Sequence, residues 1–268
     1  MIRRPISQRL RVALGIASFV ILALLYTGVS WRAYERNSKQ TTIPGWNDLG
    51  TGVAKALAPD DRDYDGKCWL RVDSEASFKR LFTGLGLGCA LGIAVGVMMG
   101  CYPFIEALLL PPLTFLAKIP PTAMLAVFFA LVGVNFAYFV AMIAFGTMPT
   151  LAQAVHQAVT KDVHDELIHK ARTLGASQPE VIWNVIFRQI LPRVIDAVRL
   201  QVGPALVYLI AAEMGNADVG FGFRLRFESR LLHMNLVYVY LVYLGMIGLL
   251  IDILLVRLRR WTCPWFGE

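Results

Sequence analysis

Three histidines, His156, His164 and His169, lie close in sequence to Asp162, Asp165 and Glu166. Imidazoles and carboxylates gathered this way are the raw material of a metal centre. The spacing argues against one. His164 and His169 are five residues apart, and on a helix only residues three or four apart share a face. No metal site is assigned, and no catalytic site, because no Ser-His-Asp or Cys-His set has a recognisable context. Gly66-Lys67-Cys68 lacks the first glycine and the hydroxyl of a phosphate-binding loop, so no nucleotide site is expected in this chain. Cys68, Cys89, Cys101 and Cys263 are scattered without a Cys-x-x-Cys pair, and a disulfide framework is not expected.

Other spacings speak of packing and transport. Gly84, Gly88, Gly92, Gly96 and Gly100 recur at every fourth position, which makes one stripe on a helix and lets a neighbouring helix approach closely in lipid. A dinucleotide loop would need a strand before it and a later acidic partner, and neither is present. Glu213 is read at the outer end of an apolar span. A lone ionisable residue there is a functional candidate, for the solute pathway if the chain is a transporter, or a structural partner of a nearby backbone or basic group. Lys118 is read near the inner end of another span, as a pathway residue or as a snorkelling anchor. Arg224, Arg226 and Arg230 in an outer loop would meet a partner protein, attract an anion, or be surface charge only. Asp252 in the last span is read as structural.

The elements that hold these residues follow from composition. Of 268 residues, 56% are hydrophobic and 17% charged, with mean hydropathy +0.55. Soluble domains carry about 25% charged residues, so a soluble enzyme is excluded and an all-α integral membrane protein is the default. The net charge of +7 and pI near 9.4 would suggest nucleic acid in a soluble chain. Here the basic residues flank apolar segments: Arg3, Arg4, Arg9 and Arg11 precede the first, while Arg257, Arg259 and Arg260 follow the last. That is a cytoplasmic-anchor pattern, and no nucleic acid is expected.

About six spans are expected. They are Val12–Trp31, Leu81–Ile105, two between Ile119 and Thr160 that turn at Gly133-Val134-Asn135, Val194–Ala212 with a kink at Gly203-Pro204, and Leu236–Val256. Both termini then lie in the cytoplasm. The organisation is a tail and first span over 1–31, an extracytoplasmic segment over 32–79, a membrane core over 80–258 and a tail over 259–268. The extracytoplasmic segment holds an acidic run from Asp60 to Asp65 and a short helix around Leu49–Leu57. Within the core, loop 161–191 is polar and cytoplasmic. Val163, Leu167, Ala171 and Leu174 share a helical face, and Gly175 ends that helix. Ser177-Gln178-Pro179-Glu180 has the form of a capping box. A second helix runs from Val181 towards Leu191, and Pro192 begins the next span. The loop is a rigid helix-turn-helix.

The run Lys170-Ala171-Arg172-Thr173-Leu174-Gly175-Ala176-Ser177, followed by Leu191-Pro192, resembles the EAA loop of ABC importer permeases. Ala211-Ala212-Glu213-Met214 with Val219-Gly220-Phe221-Gly222 resembles the end of span five in the nitrate, sulfonate, taurine and bicarbonate branch. Ala117-Lys118-Ile119-Pro120-Pro121 resembles that branch's third-span entry. The similarity covers about residues 78–258. Two pieces depart from it: His169-Lys170-Ala171 stands where the family has Glu-Ala-Ala, and Phe187-Arg188 where it has an earlier Leu-Pro. The resemblance implies a type I importer permease fold in a bacterial inner membrane. It implies a pathway for a small, anionic solute such as nitrate, bicarbonate or an organosulfonate. It also implies partners: a second permease copy or a homologous one, two ATP-binding subunits that carry the ATP and Mg, and an extracytoplasmic substrate-binding protein. This chain itself would hold no cofactor. His169, Lys170, Ala171, Arg172, Leu174 and Gly175 would then couple it to the ATPase. An ion-gradient-driven secondary transporter or channel is the rival. Such proteins show internal repeats and midplane carboxylates, and this sequence shows no repeat and almost no carboxylate inside its spans.

Overall fold

The computed structural model describes residues 7–36, 42–60 and 66–266. Arg3, Arg4 and the acidic residues 61–65 lie outside the described residues. The first helix, α1 (Gln8–Arg36), is apolar all round and lies almost wholly exposed to the surroundings. It meets the rest of the chain near its second end. There the Tyr26 hydroxyl donates to the Pro44 carbonyl at 2.6 Å, and the Trp46 indole donates to Thr27 at 3.0 Å. Helix α2 (Trp46–Leu57) follows. A two-residue antiparallel pair, Pro59–Asp60 with Lys67–Cys68, then leads into α3.

Helix α3 (Trp69–Cys101) has 33 residues. It begins well inside the segment read from sequence as extracytoplasmic. The cause is a polar first third, Asp73 to Arg80, that faces protein rather than water, as shown below. Its glycines settle how it packs. Gly84, Gly88, Gly92, Gly96 and Gly100 lie against Ile143, Thr147, Leu151, Val155 and Val159 of α6 (Phe136–Asp162). Both series rise in steps of four, so the helices run parallel and in register. A Cβ on Gly96 would sit 2.6 Å from the Ala152 carbonyl oxygen, and one on Gly84 2.8 Å from Ile143 Cβ. Only hydrogen fits at these points.

The third span departs from the sequence reading. A full span was expected to start at Ile119, but the helix there, α5 (Leu125–Val132), has only eight residues after a 3₁₀ turn at Pro121–Met124. The missing half is α4 (Pro103–Leu116), which meets the Pro121–Val132 piece at a bend of 79°. Sequence reading lost α4 because Glu106 and Pro103, Pro111 and Pro112 interrupt its apolar pattern. Pro103 begins the helix, where its missing N–H is harmless, and Glu106 reaches the His156 ring of α6 at 3.3 Å. Among the described residues, five helices are long and apolar enough to cross a membrane, or six when this bent pair is counted as one span.

A short helix, α7 (Asp165–Thr173), follows α6. The next helix, α8, runs without a break from Gln178 to Asn216, 39 residues. The second limb of the loop and the fifth span are therefore one rod, where the sequence suggested two helices parted at Pro192. A π-helical stretch, Val181–Phe187, lies ahead of Pro192. Pro192 and Pro204 are both accommodated within the rod. The chain closes with α9 (Phe221–Arg230) and α10 (Met234–Thr262). Asp196 of α8 takes two hydrogen bonds from Arg259 of α10 at 2.9 and 2.8 Å, and Asp252 pairs with Arg199. The Arg193 guanidinium lies 5.5 Å from the Phe266 ring and 3.4 Å from Asp162. The end of α10 thus lies on the same side as the α6–α8 loop.

Gly96→Leu should cost the folded protein about 1–3 kcal/mol or more, as overpacking does. Gly86, whose added Cβ would meet nothing within 4 Å, is the matched control on the same helix. Thermal unfolding in mild detergent should show a clear drop for Gly96→Leu and little change for Gly86→Leu.

Candidate functional site

Helix α7 and the first turns of α8 form an elbow that stands out from the ends of the long helices. Its corner is built by local chemistry. The Ala176 N–H donates to the Ala171 carbonyl at 3.1 Å and the Gly175 N–H to Arg172 at 3.0 Å, a paired closure that requires a left-handed residue between helix and exit. Gly175 supplies it, with φ +85°. An added Cβ there would meet nothing within 4 Å, so within this chain the glycine answers to backbone conformation and not to crowding. Beyond the corner the Glu180 carboxylate accepts from the Ser177 hydroxyl at 2.7 Å and from its N–H at 2.8 Å. These bonds hold the Glu180 carboxyl below its usual pKa, the hydroxyl contributing most. A depressed carboxylate pKa stabilises the folded form above the usual carboxylate value. The tie is complete at neutral pH and fails only as pH falls through that lowered value.

The elbow faces two ways. Ala171 packs inward with Ile168, Ile182 and Val185 against a core that includes Val159, Val163, Val181 and Ile186. Val163 precedes the helix, so the inward pair is Ile168 and Ala171, three apart. Leu167 turns outward, and Leu174 is 88% exposed at the tip. His169, Lys170 and Arg172 are exposed beside it. Trp183, 63% exposed, stacks on Phe187 with ring centroids 4.9 Å apart. The result is an apolar point ringed by basic side chains. Trp183 and Ile168 were missed by sequence reading, although both stand at helical spacing from the residues it chose.

At the opposite end lies a buried polar knot. Asp73, Ser77 and Arg80 stand at i, i+4 and i+7 on α3, on one face. Asp73 accepts from the Gly220 N–H at 3.0 Å, from Arg224 Nε at 3.0 Å and from the Tyr240 hydroxyl at 2.7 Å. Glu213 of α8 accepts from Ser77 and Arg80, both at 2.8 Å, and from the Gly222 N–H at 2.9 Å. Arg80 also donates to the Val219 carbonyl at 2.7 Å and lies 4.1 Å from the Phe139 ring centroid. Asp73, Ser77 and Glu213 are each 0% exposed. Of the two readings open for Glu213, its surroundings supply the partners of the structural one. Gly220, φ +128°, must be glycine here for a second reason, since a Cβ would lie 2.6 Å from Glu213 Oε1. Of the outer-loop arginines, Arg224 is inside the knot and Arg226 caps the end of α8 through the Met214 and Gly215 carbonyls, whereas Arg230 is exposed.

Lys118 lies in the break between α4 and the Pro121 turn. The two sides of that break are fixed against α6: Gln153 donates to the Leu113 carbonyl at 3.2 Å, and Gly146 is flanked by Pro121 and Tyr208. At about 1.5 Å rise per residue, Gly146 is about 15 Å from the start of α6 and Gln153 about 14 Å from its end. The lysine therefore sits at mid-depth, not at the inner end of a span. The placement changed because the span starts at Pro103.

The profile of the family described as binding-protein-dependent transport system inner membrane component matches residues 89–262. A probable ABC transporter permease protein of Brucella melitensis biotype 1 is 31% identical over 72% of this chain and 78% of its own length. The taurine transport system permease protein of Escherichia coli K12 is 29% identical over 76% and 73%. The fold matches a chain of the MetNI methionine ABC transporter in an inward facing form, with TM-score 0.63 and 18% identity, over 72% of this chain and 95% of that one. The chain belongs to this family of ABC importer permeases: it is a multi-pass membrane component of a binding-protein-dependent transport system and not an enzyme.

Arg80→Met should cost about 3–5 kcal/mol, because it strands Glu213 as a buried, unpaired charge. Adding Glu213→Gln should restore part of that loss. Thermal unfolding of the two variants in detergent checks both the sign and the recovery.

Proposed function

We propose that this permease imports a small, anionic solute, in the range of an organosulfonate, nitrate or bicarbonate, and that the elbow is where an ATP-binding subunit drives it. The observation that carries the reading is the continuity of α8, which joins the corner at Gly175 to Glu213 in one 39-residue rod. Force applied at Leu174 reaches the fifth span without a hinge between helices. ATP and Mg belong to the partner subunit, two of which serve a pair of permeases. A binding protein delivers the solute at the knot side. Both chain ends then lie with the elbow in the cytoplasm. The E. coli relative's named solute, taurine, supports the anionic class through its sulfonate.

Each elbow residue has a part in this reading. Leu174 enters an apolar recess of the ATPase, and His169, Lys170 and Arg172 meet acidic groups around it. Ala171 keeps α7 close to the core so that the push is not absorbed. Gly175 lets the chain turn within one residue. The family's glutamate is replaced by His169-Lys170, so the local charge is reversed and the ATPase is a dedicated one with a matching acidic rim. Glu213 enters as the lock that ties the far end of the rod to α3 and α9.

Purification from the native membrane in mild detergent should recover an ATP-binding subunit in stoichiometric amount. Leu174→Asp should lower that recovery at least about tenfold, equivalent to about 1.4 kcal/mol of binding. Gly175→Asn, a residue that tolerates positive φ, should fold normally and lose solute uptake per ATP hydrolysed. Recovery of the chain alone from wild-type membranes would contradict the reading and favour a gradient-driven transporter.

A further inference from the structure

The break at mid-depth gathers hydrogen-bond donors that have nothing to donate to. Lys118 is exposed, and among the described residues its ammonium makes no hydrogen bond or ion pair. The Thr122 hydroxyl, four residues on, and the Tyr208 hydroxyl likewise have no partner among the described residues. Tyr208 and Pro121 close on Gly146 from two sides, which sets Tyr208 beside the chain break that carries Lys118 and Thr122. One turn further along α6, the Thr150 hydroxyl lies 3.1 Å from the Thr147 carbonyl and 3.2 Å from the Gln201 side-chain amide. The patch borders the outward surface of the chain, where Val207 and Leu200 are 57% and 74% exposed.

A lone ammonium at this depth is costly against lipid, and such residues face protein or a water-filled cavity. Snorkelling fails here, because Lys118 lies far from both ends of α6. Resting on the permease reading, we infer that Lys118, with the Thr122 and Tyr208 hydroxyls, forms a midplane station for an oxyanion group on the transport pathway. The set offers donors and one positive charge and no free carboxylate, so it suits a sulfonate, carboxylate or nitrate-like group and disfavours a cation. Lysine suits a passing ligand, since its ammonium is a compact point charge on a flexible stem without the fixed fork of arginine. The exposed side of the patch faces away from this chain's core, so a second permease copy or the water between two copies completes the station.

The test does not need the solute's identity. Thr122→Cys is introduced after the four native cysteines are replaced by serine. Its modification by an anionic and a cationic methanethiosulfonate of similar size is followed by mass spectrometry in permeabilised native-membrane vesicles, with and without ATP. The anionic reagent should react about tenfold faster, as a local potential of a few kT gives. Lys118→Met should abolish that preference, and Lys118→Arg should keep most of it. An introduced thiol that is unreactive to both reagents in both conditions, or a preference untouched by Lys118→Met, would overturn the inference. Recovery of the ATP-binding subunit with these same variants is scored separately, so a failed station is distinguishable from a failed permease assignment.

Discussion

The close parallel contact of α3 with α6 is the constraint on which the rest of the chain depends. Hydrophobic burial cannot hold helices together in lipid, where the alternative surroundings are equally apolar, so contact area and close approach must do it. Five glycines at every fourth position give that approach along the length of α3 below its polar end. The pair then serves as a wall. Helix α8 leans on α6, α4 and α5 also fold against it, and α9 packs across the end of α8. Remove the stripe and every later contact loses its reference surface.

Polar chemistry is placed at the two ends of this wall and has two different uses. At one end, Asp73 and Glu213 are satisfied by two arginines, a serine, a tyrosine and the backbone N–H groups of Gly220 and Gly222. A set so fully paired fixes one geometry, because losing either arginine leaves a buried carboxylate without its counter-charge. At the other end, the elbow keeps its corner tied, by Gly175 and the Ser177–Glu180 box, and leaves Leu174 and its basic neighbours exposed and without a partner among the described residues. One end is closed on itself and the other is open to a partner. Helix α8 joins them, with Pro192, Pro204 and a π-helical stretch all absorbed within the rod.

Much of this was legible in the sequence, and the failures have specific causes. The glycine stripe, the corner at Gly175 and the capping box are local patterns whose physics is complete within a few residues. The limits of α3 and α4 were not local. Asp73, Ser77 and Arg80 look like solvent-facing residues until α9 folds over them, and only their i, i+4, i+7 spacing hinted at a buried face. Helix α4 was hidden by three prolines and a glutamate whose partner, His156, lies fifty residues on in α6. The same misplacement put Lys118 at the end of a span when the break that holds it lies beside the middle of α6. The helix and its corner at Gly175 stand where the spacing put them, yet which of the apolar residues turn outward depended on where α7 begins.

The central claim is that the elbow and the fifth span move as one body. Spin labels at the exposed positions Leu174 and Val207, placed on one chain of the assembled complex, measure it directly through their separation by pulsed electron resonance. The separation should stay constant when ATP is added, while the distance between the elbows of the two copies shortens. A Leu174–Val207 separation that changes with ATP while the spans stay still would contradict the account. It would mean that the rod bends near Pro192 and that the elbow is not a lever.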